Sequence, residues 1–161
     1  HFKDGADFGC HISYIREKKP MGTGGSLSLL PPSDDAVLVM NGDLVTQADI
    51  GRILDFHASS DFVATSCLRP YQVEVPFGVA EVRGDRLLAF REKPTEQMLI
   101  NAGIYVLSPK ALRMIPKDRE YPITQLFETC LSKKLAVGAH VLEGDWMDVG
   151  RHEELRKARG F

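Results

Sequence analysis

The chain has 161 residues, 43% of them hydrophobic and 26% charged, ordinary proportions for one globular domain that buries about two-thirds of its unfolded surface. Twenty basic residues against 22 acidic ones leave a net charge of −2. No sign-segregated tail exists to draw nucleic acid or anionic lipid, so neither is expected as a partner. The apolar runs are too short or too interrupted to span a bilayer, and no charged segment leading into an apolar one opens the chain, so no membrane anchor or signal peptide is expected. Cys10, Cys67 and Cys130 are odd in number and widely spaced, which fits reduced thiols in a cytoplasmic protein better than a disulfide framework or a metal knuckle.

Ala36-Val-Leu-Val-Met40 is a continuous apolar run, and it reads as a strand buried on both faces, as in a parallel sheet. Thr46-Gln-Ala-Asp49 resembles a capping box, and Ile50, Ile53, Leu54 and His57 then recur at helical spacing to about Ser59. Phe62–Leu68 follows as a second strand, completing a βαβ unit. Phe77–Val82 and Leu87–Glu92 flank the polar turn Arg83-Gly-Asp-Arg86 and predict a β-hairpin. Ala102–Leu107 is a further apolar strand. Ser108-Pro109 supplies an N-cap and a first-turn proline for a helix through Ile115. Ile123, Leu126, Phe127, Cys130 and Leu131 mark another amphipathic helix, Val137–Leu142 a strand, and Glu153–Arg159 a charged C-terminal helix. The order predicts a single α/β domain with a hairpin insertion, its ligand beyond the carboxyl ends of the strands.

Asn41-Gly42-Asp43 places a carboxylate directly after a buried strand, beside a glycine that admits a phosphate or another backbone. Magnesium is typically held by one or two carboxylates plus substrate phosphates, so Asp43 suits a metal anchor; a plain turn explains the tripeptide equally well. Trp146-Met-Asp148-Val-Gly150 offers a second such carboxylate, which could instead cap a helix. Gly22-Thr23-Gly24-Gly25 at a helix start permits close backbone approach and presents N–H groups to an acceptor, although the Gly-Lys-Ser/Thr ending of a Walker loop is absent. Lys93 in Glu92-Lys93-Pro94 is a point-charge phosphate partner, unless it is one more solvated lysine. The amide of Asn101, beside Gly103, can read ligand hydroxyls or close an Asx turn. The five histidines lack zinc-ligand spacing, with His11 read as a strand residue, and no serine sits in a nucleophile elbow.

Each of these pieces is weak by itself, but their order is specific. Glu17 and Pro20-Met-Gly-Thr-Gly-Gly-Ser26, then Val39-Met-Asn-Gly-Asp43, Pro76-Phe-Gly-Val-Ala-Glu81, Glu92-Lys-Pro94, Ile100-Asn-Ala-Gly-Ile-Tyr105 and Trp146-Met-Asp-Val-Gly150 run in one sequence. The series resembles the sugar-phosphate nucleotidyltransferases, the nucleoside-diphosphate-sugar pyrophosphorylases, from about Phe8 to Ala158. The resemblance implies a Rossmann-like mixed α/β sheet. It also implies the reaction of a nucleoside triphosphate with a sugar 1-phosphate to give an NDP-sugar and pyrophosphate, with Mg²⁺ as cofactor.

By the same resemblance Asp43 and Asp148 hold the metal and Gly22, Thr23, Gly24 and Gly25 line the nucleobase. Gly78, Glu92 and Asn101 contact the sugar, Lys93 meets its phosphate, and Asn41, Gly42 and Gly103 are further substrate-binding residues. The Gly-Thr-Gly-Gly turn looks most like guanylyl- and uridylyl-type members, with mannose or glucose 1-phosphate the default sugar. The family's N-terminal signature, a strand followed by a Gly-x-Gly-Thr-Arg loop and then a Pro-Lys pair, does not occur in these 161 residues. The expectation is therefore residues 1–161 as one partial, N-terminally truncated domain that begins near the family's third strand, around Cys10–Ile15. Such a domain should be inactive alone and should form a homodimer or strand-exchanged oligomer through bare strand edges. The alternative is a non-catalytic remnant, a sugar-nucleotide-binding or oligomerisation module.

Overall fold

A computed structural model describes residues 1–150. Eight strands and four α-helices occur among them: α1 (Gly22–Gly25), β1 (Val37–Met40), β2 (Leu44–Thr46), α2 (Ile50–Ala58), β3 (Ala64–Glu74), β4 (Val79–Arg83), β5 (Arg86–Arg91), β6 (Thr95–Leu107), α3 (Pro109–Leu112), α4 (Ile123–Ser132), β7 (Val137–Val141) and β8 (Trp146–Asp148). Short 3₁₀ turns add Ala6–Phe8 and Ser26–Leu29. The predicted helix over 153–159 lies outside the described residues. Four strands form one sheet in the order β1-β6-β3-β7, while β2 pairs with β8 and β4 with β5. The fold is α/β with a mixed sheet, as the element order implies.

The chain divides into two compact units. The first comprises His1–Val39, His57–Thr65 and Val106–Gly138. Its buried residues include Met21, Val106, Leu107, Ala111, Tyr121, Ile123, Leu126 and Cys130. The α3 start follows expectation: Ser108 Oγ accepts the Ala111 N–H at 3.3 Å with Pro109 in the first turn. The helix stops at Leu112 rather than Ile115, because the Met114 and Ile115 amides close tighter bonds to Ala111 and Leu112. No strand forms around Cys10–Ile15, and His11 belongs to none: that stretch is mostly exposed and finds no partner strand among the described residues.

The second unit comprises Met40–Phe56, Ser66–Tyr105 and the chain from Ala139. Ile53, Cys67, Ala102, Ile104 and Tyr105 are buried in it. The cap of α2 differs from the expected box. Asp49 Oδ1 accepts the Arg52 N–H at 3.2 Å, whereas the Thr46 hydroxyl donates to the Asp145 carbonyl at 3.0 Å. The hairpin forms as predicted, with Val79 opposite Arg91, Arg83 opposite Arg86, and Gly84 at φ +59 in the turn.

Two strands run further than their apolar stretches. In β6 only Ala102–Leu107 is buried, and the mostly exposed Thr95–Asn101 extends it outward; β3 likewise continues through exposed Pro70–Glu74. The run read as a strand buried on both faces is only half-buried, with Met40 exposed, because β1 ends the sheet order and, among the described residues, pairs with β6 alone. The pair β2–β8, unmarked by any apolar run, matters most for the site. It sets Leu44 opposite Asp148 and Thr46 opposite Trp146.

Candidate functional site

The β2–β8 ladder brings together two residues 105 positions apart in sequence, Asp43 and Asp148. Asp43 ends the Asn41-Gly42-Asp43 turn just before β2, and its carbonyl accepts the Val149 N–H at 2.8 Å. Asp148 ends β8, and its Oδ1 accepts the Gly150 N–H at 2.9 Å. Both side chains are exposed. They face one bare α-carbon: a Cβ built on Gly150 would lie 2.8 Å from Asp43 Oδ2 and 3.0 Å from Asp148 Oδ1. Glycine therefore keeps open the small space that both carboxylates border. No lysine or arginine is ion-paired with either among the described residues. Two adjacent, uncompensated carboxylates fit a hard divalent cation that takes its remaining ligands from water and phosphate. Among the described residues no group of three or more His, Cys, Asp or Glu side chains is placed to hold a metal ion.

Beside this pair, Asn41 packs against a backbone irregularity in β6. Gly103 sits at φ +70, and a Cβ there would stand 2.8 Å from Asn41 Nδ2. Its N–H donates to Asn101 Oδ1 at 3.0 Å, and its carbonyl accepts the Asn41 N–H at 2.9 Å. Asn101 Nδ2 donates to the Tyr105 hydroxyl at 2.6 Å. Burial pushes the Tyr105 hydroxyl pKa up, partly opposed by that hydrogen bond. The Asx-turn reading of Asn101 is thus realised, and one amide hydrogen and one lone pair remain for a ligand. Gly42 is open: a methyl added there would find nothing within 4 Å.

At the hairpin base, a Cβ on Gly78 would meet Glu92 Oε2 at 3.1 Å, so the glycine leaves room for that carboxylate. Lys93 takes φ 41, unusual for a residue with a side chain and costing about 1–2 kcal/mol. The turn is pinned by the Val75 N–H donating to the Pro94 carbonyl at 3.0 Å.

The glycine turn is built differently from expectation. The Gly24 and Gly25 amides do not await an acceptor; both donate to the Tyr121 carbonyl, at 2.9 and 3.0 Å. Both glycines are buried, and a methyl on Gly24 would lie 2.8 Å from Tyr121 O and 3.1 Å from the Ile123 backbone. Thr23 Oγ1 accepts the Ile123 N–H at 3.1 Å and so caps α4, whose own N-cap position is Pro122. Only Gly22 and Thr23 stay exposed. The sequence assigns no role to the Trp146 ring, whose Nε1–H donates to the Ala102 carbonyl at 2.8 Å. Nothing local signals a bond between residues 44 positions apart.

A profile of the nucleotidyl transferase family matches residues 1–161, and the chain belongs to that family. It is 34% identical over 163 residues to a mannose-1-phosphate guanylyltransferase of Mycobacterium tuberculosis, an alignment covering 96% of this chain and 45% of that protein. It is 28% identical over 172 residues to a UTP–glucose-1-phosphate uridylyltransferase of Synechocystis, covering 94% of this chain and 44% of that one. The chain thus spans less than half the length of these curated relatives. A crystal structure from Bacillus anthracis, provisionally assigned as a glucose-1-phosphate thymidylyltransferase, superposes with a TM-score of 0.74 at 24% identity, over 99% of this chain and 68% of that one. That likeness shows the fold. No helix among the described residues is long and apolar enough to cross a membrane.

Proposed function

We propose that this chain provides the metal- and sugar-binding part of a sugar-1-phosphate nucleotidyltransferase acting in the cytoplasm. The observation that supports it most directly is the convergence of Asp43 and Asp148 on the bare α-carbon of Gly150. In the reaction, a sugar-phosphate oxygen attacks the α-phosphorus of the triphosphate in line, and the bond to the β-phosphate oxygen breaks to release pyrophosphate. Such chemistry rests on positioning and charge compensation. Asp43 and Asp148 would hold Mg²⁺, which when bound offsets charge building on the phosphate oxygens.

The remaining work falls to the chain's own groups. Lys93 brings a positive charge to the sugar phosphate, with its backbone already fixed in one conformation. The Glu92 carboxylate accepts sugar hydroxyls at the Gly78 side of the hairpin, and Asn101 offers its remaining N–H. Mannose or glucose 1-phosphate with a guanine or uracil nucleotide is the substrate set favoured by the similarity to the two relatives.

No Gly-x-Gly-Thr-Arg loop occurs in these residues, so the 161-residue chain should bind ligand without turnover. The apolar β1, paired among the described residues with β6 alone, supports a homodimer or strand exchange. Calorimetric titration with GDP-mannose or UDP-glucose, with and without Mg²⁺, tests the reading. Binding should require Mg²⁺ and weaken about tenfold or more in Asp43→Asn, Asp148→Asn and Gly150→Ala, a loss of about 1.4 kcal/mol or more. Mg²⁺-independent binding, or full affinity in Gly150→Ala, would remove the metal site from the proposal. Pyrophosphate release by the isolated chain would overturn its assignment as inactive.

A further inference from the structure

We infer that two consecutive peptide groups of β6, Ala102 and Gly103, set the separation of the Asp43 and Asp148 carboxylates, and that Asn41 and Trp146 are the positioning residues that transmit it. The inference rests on the metal reading above and extends it to residues that touch no ligand in this role.

The two carboxylates sit on separate chain segments, and each segment is hooked to β6 two residues before its aspartate. Asn41 donates its backbone N–H to the Gly103 carbonyl at 2.9 Å. Trp146 donates its indole N–H to the Ala102 carbonyl at 2.8 Å. The two carbonyls accept from different segments, so the hooks do not compete. The positive φ of Gly103 rotates the peptide between them, and that rotation is locked from both ends. Asn101 Oδ1 holds the Gly103 N–H, and the Asn41 amide fills the space a side chain would occupy. Asn101 is itself tied to the buried Tyr105 through a 2.6 Å bond. The Arg69 guanidinium lies 5.9 Å from the Trp146 ring centroid and steadies its other face.

Beyond these hooks the segments meet through the Val149 N–H to Asp43 O bond at 2.8 Å, the Gln47 N–H and Thr46 hydroxyl bonds to the Asp145 carbonyl, both at 3.0 Å, and the β2–β8 register. Loss of the indole hook should leave both segments paired yet free to shift against β6. The physical consequence is selective. A small octahedral cation tolerates little change in carboxylate spacing, whereas Ca²⁺ accepts longer bonds and variable coordination.

The test uses the whole chain with Mn²⁺ as a paramagnetic probe and Ca²⁺ as competitor, read by electron paramagnetic resonance without substrate. Asp43→Asn and Asp148→Asn should each weaken Mn²⁺ binding tenfold or more. Trp146→Phe keeps an aromatic ring, though a smaller one, and deletes the donor. It should weaken Mn²⁺ severalfold while Ca²⁺ affinity stays within twofold. Asn41→Ala, which empties the space against Gly103, should shift the same ratio in the same direction and guards against misfolding of the tryptophan variant.

Unchanged Mn²⁺ affinity in both positioning variants would overturn the inference while the metal reading stands. Parallel loss of Mn²⁺ and Ca²⁺ would also overturn it, since a merely structural role weakens both ions alike. If the two aspartate variants bind Mn²⁺ like the parent chain, the metal reading itself fails and the inference falls with it.

Discussion

Gly24→Ala separates a packing glycine from a ligand-lining one, and its cost follows from the geometry. The new methyl would sit 2.8 Å from the Tyr121 carbonyl oxygen and 3.1 Å from the Ile123 Cα and N. All three are backbone atoms, so no side chain can swing aside. Overpacking of this kind costs about 1–3 kcal/mol. Relief requires the Tyr121 carbonyl to retreat, which weakens the two N–H bonds it accepts from Gly24 and Gly25, each worth about 0.5–1.5 kcal/mol. The smaller backbone entropy of alanine in the unfolded chain returns at most about 1 kcal/mol.

The net expectation is a loss of about 2–4 kcal/mol, or about 5–15 °C in melting temperature for a chain of this size. Gly42→Ala is the control: nothing lies within 4 Å of its methyl, and stability should change by less than about 0.5 kcal/mol. Melting followed by far-ultraviolet circular dichroism measures both. If Gly24→Ala melts within about 1–2 °C of the parent, the account of the glycine turn as a packing device is wrong.

Buried His57 has its pKa held below the usual 6.5 by desolvation, with its ring bonded to the Thr65 hydroxyl at 2.8 Å. The folded chain keeps the ring neutral while the unfolded chain protonates it near 6.5. The stability His57 contributes should therefore be full above that pH and fall as pH drops through and below it, a limb that urea titrations at a series of pH values should show flattened in His57→Gln. Cys67 is fully buried and its thiol is pushed up to about 11, and Cys130 is also fully buried. Iodoacetamide at about pH 8 should accordingly label the exposed Cys10 alone, as peptide mass mapping would reveal; rapid native labelling of Cys67 would contradict the packing. Lys93→Gly relieves the φ 41 backbone and should raise stability by up to about 1 kcal/mol in urea titration. The same variant should lose affinity for sugar 1-phosphate, and stabilisation without that loss would detach Lys93 from the phosphate.

Much of this protein is written in local pattern. The hairpin around Gly84, the Ser108-Pro109 helix start and the amphipathic α4 depend on nearest neighbours and short periodicities, and they form where expected. The ordered motifs identify the family in the same way, because a run of turn residues and carboxylates at strand ends is a property of the chain as text. Short or exposed elements are invisible at that level: β2, β8 and the exposed outer halves of β3 and β6 exist because a neighbouring strand supplies their hydrogen bonds. The expected strand around Cys10–Ile15 fails for the converse reason, since an extended segment needs an edge to pair with.

The site divides along the same line. Residue types alone point to Asp43, Asp148, Glu92 and Lys93 as carriers of charge at turns. Only the folded chain decides that Asp43 and Asp148 border one small space beside Gly150 and that Gly24 and Gly25 spend their amides on Tyr121. It also decides that Thr23 caps a helix 100 residues away. Charge and turn propensity belong to a residue and its neighbours, so they can be read in one dimension. Proximity of a carboxylate, an amide or an indole to a distant carbonyl is created by chain reversal and strand register, and it exists only once the backbone hydrogen bonds have closed.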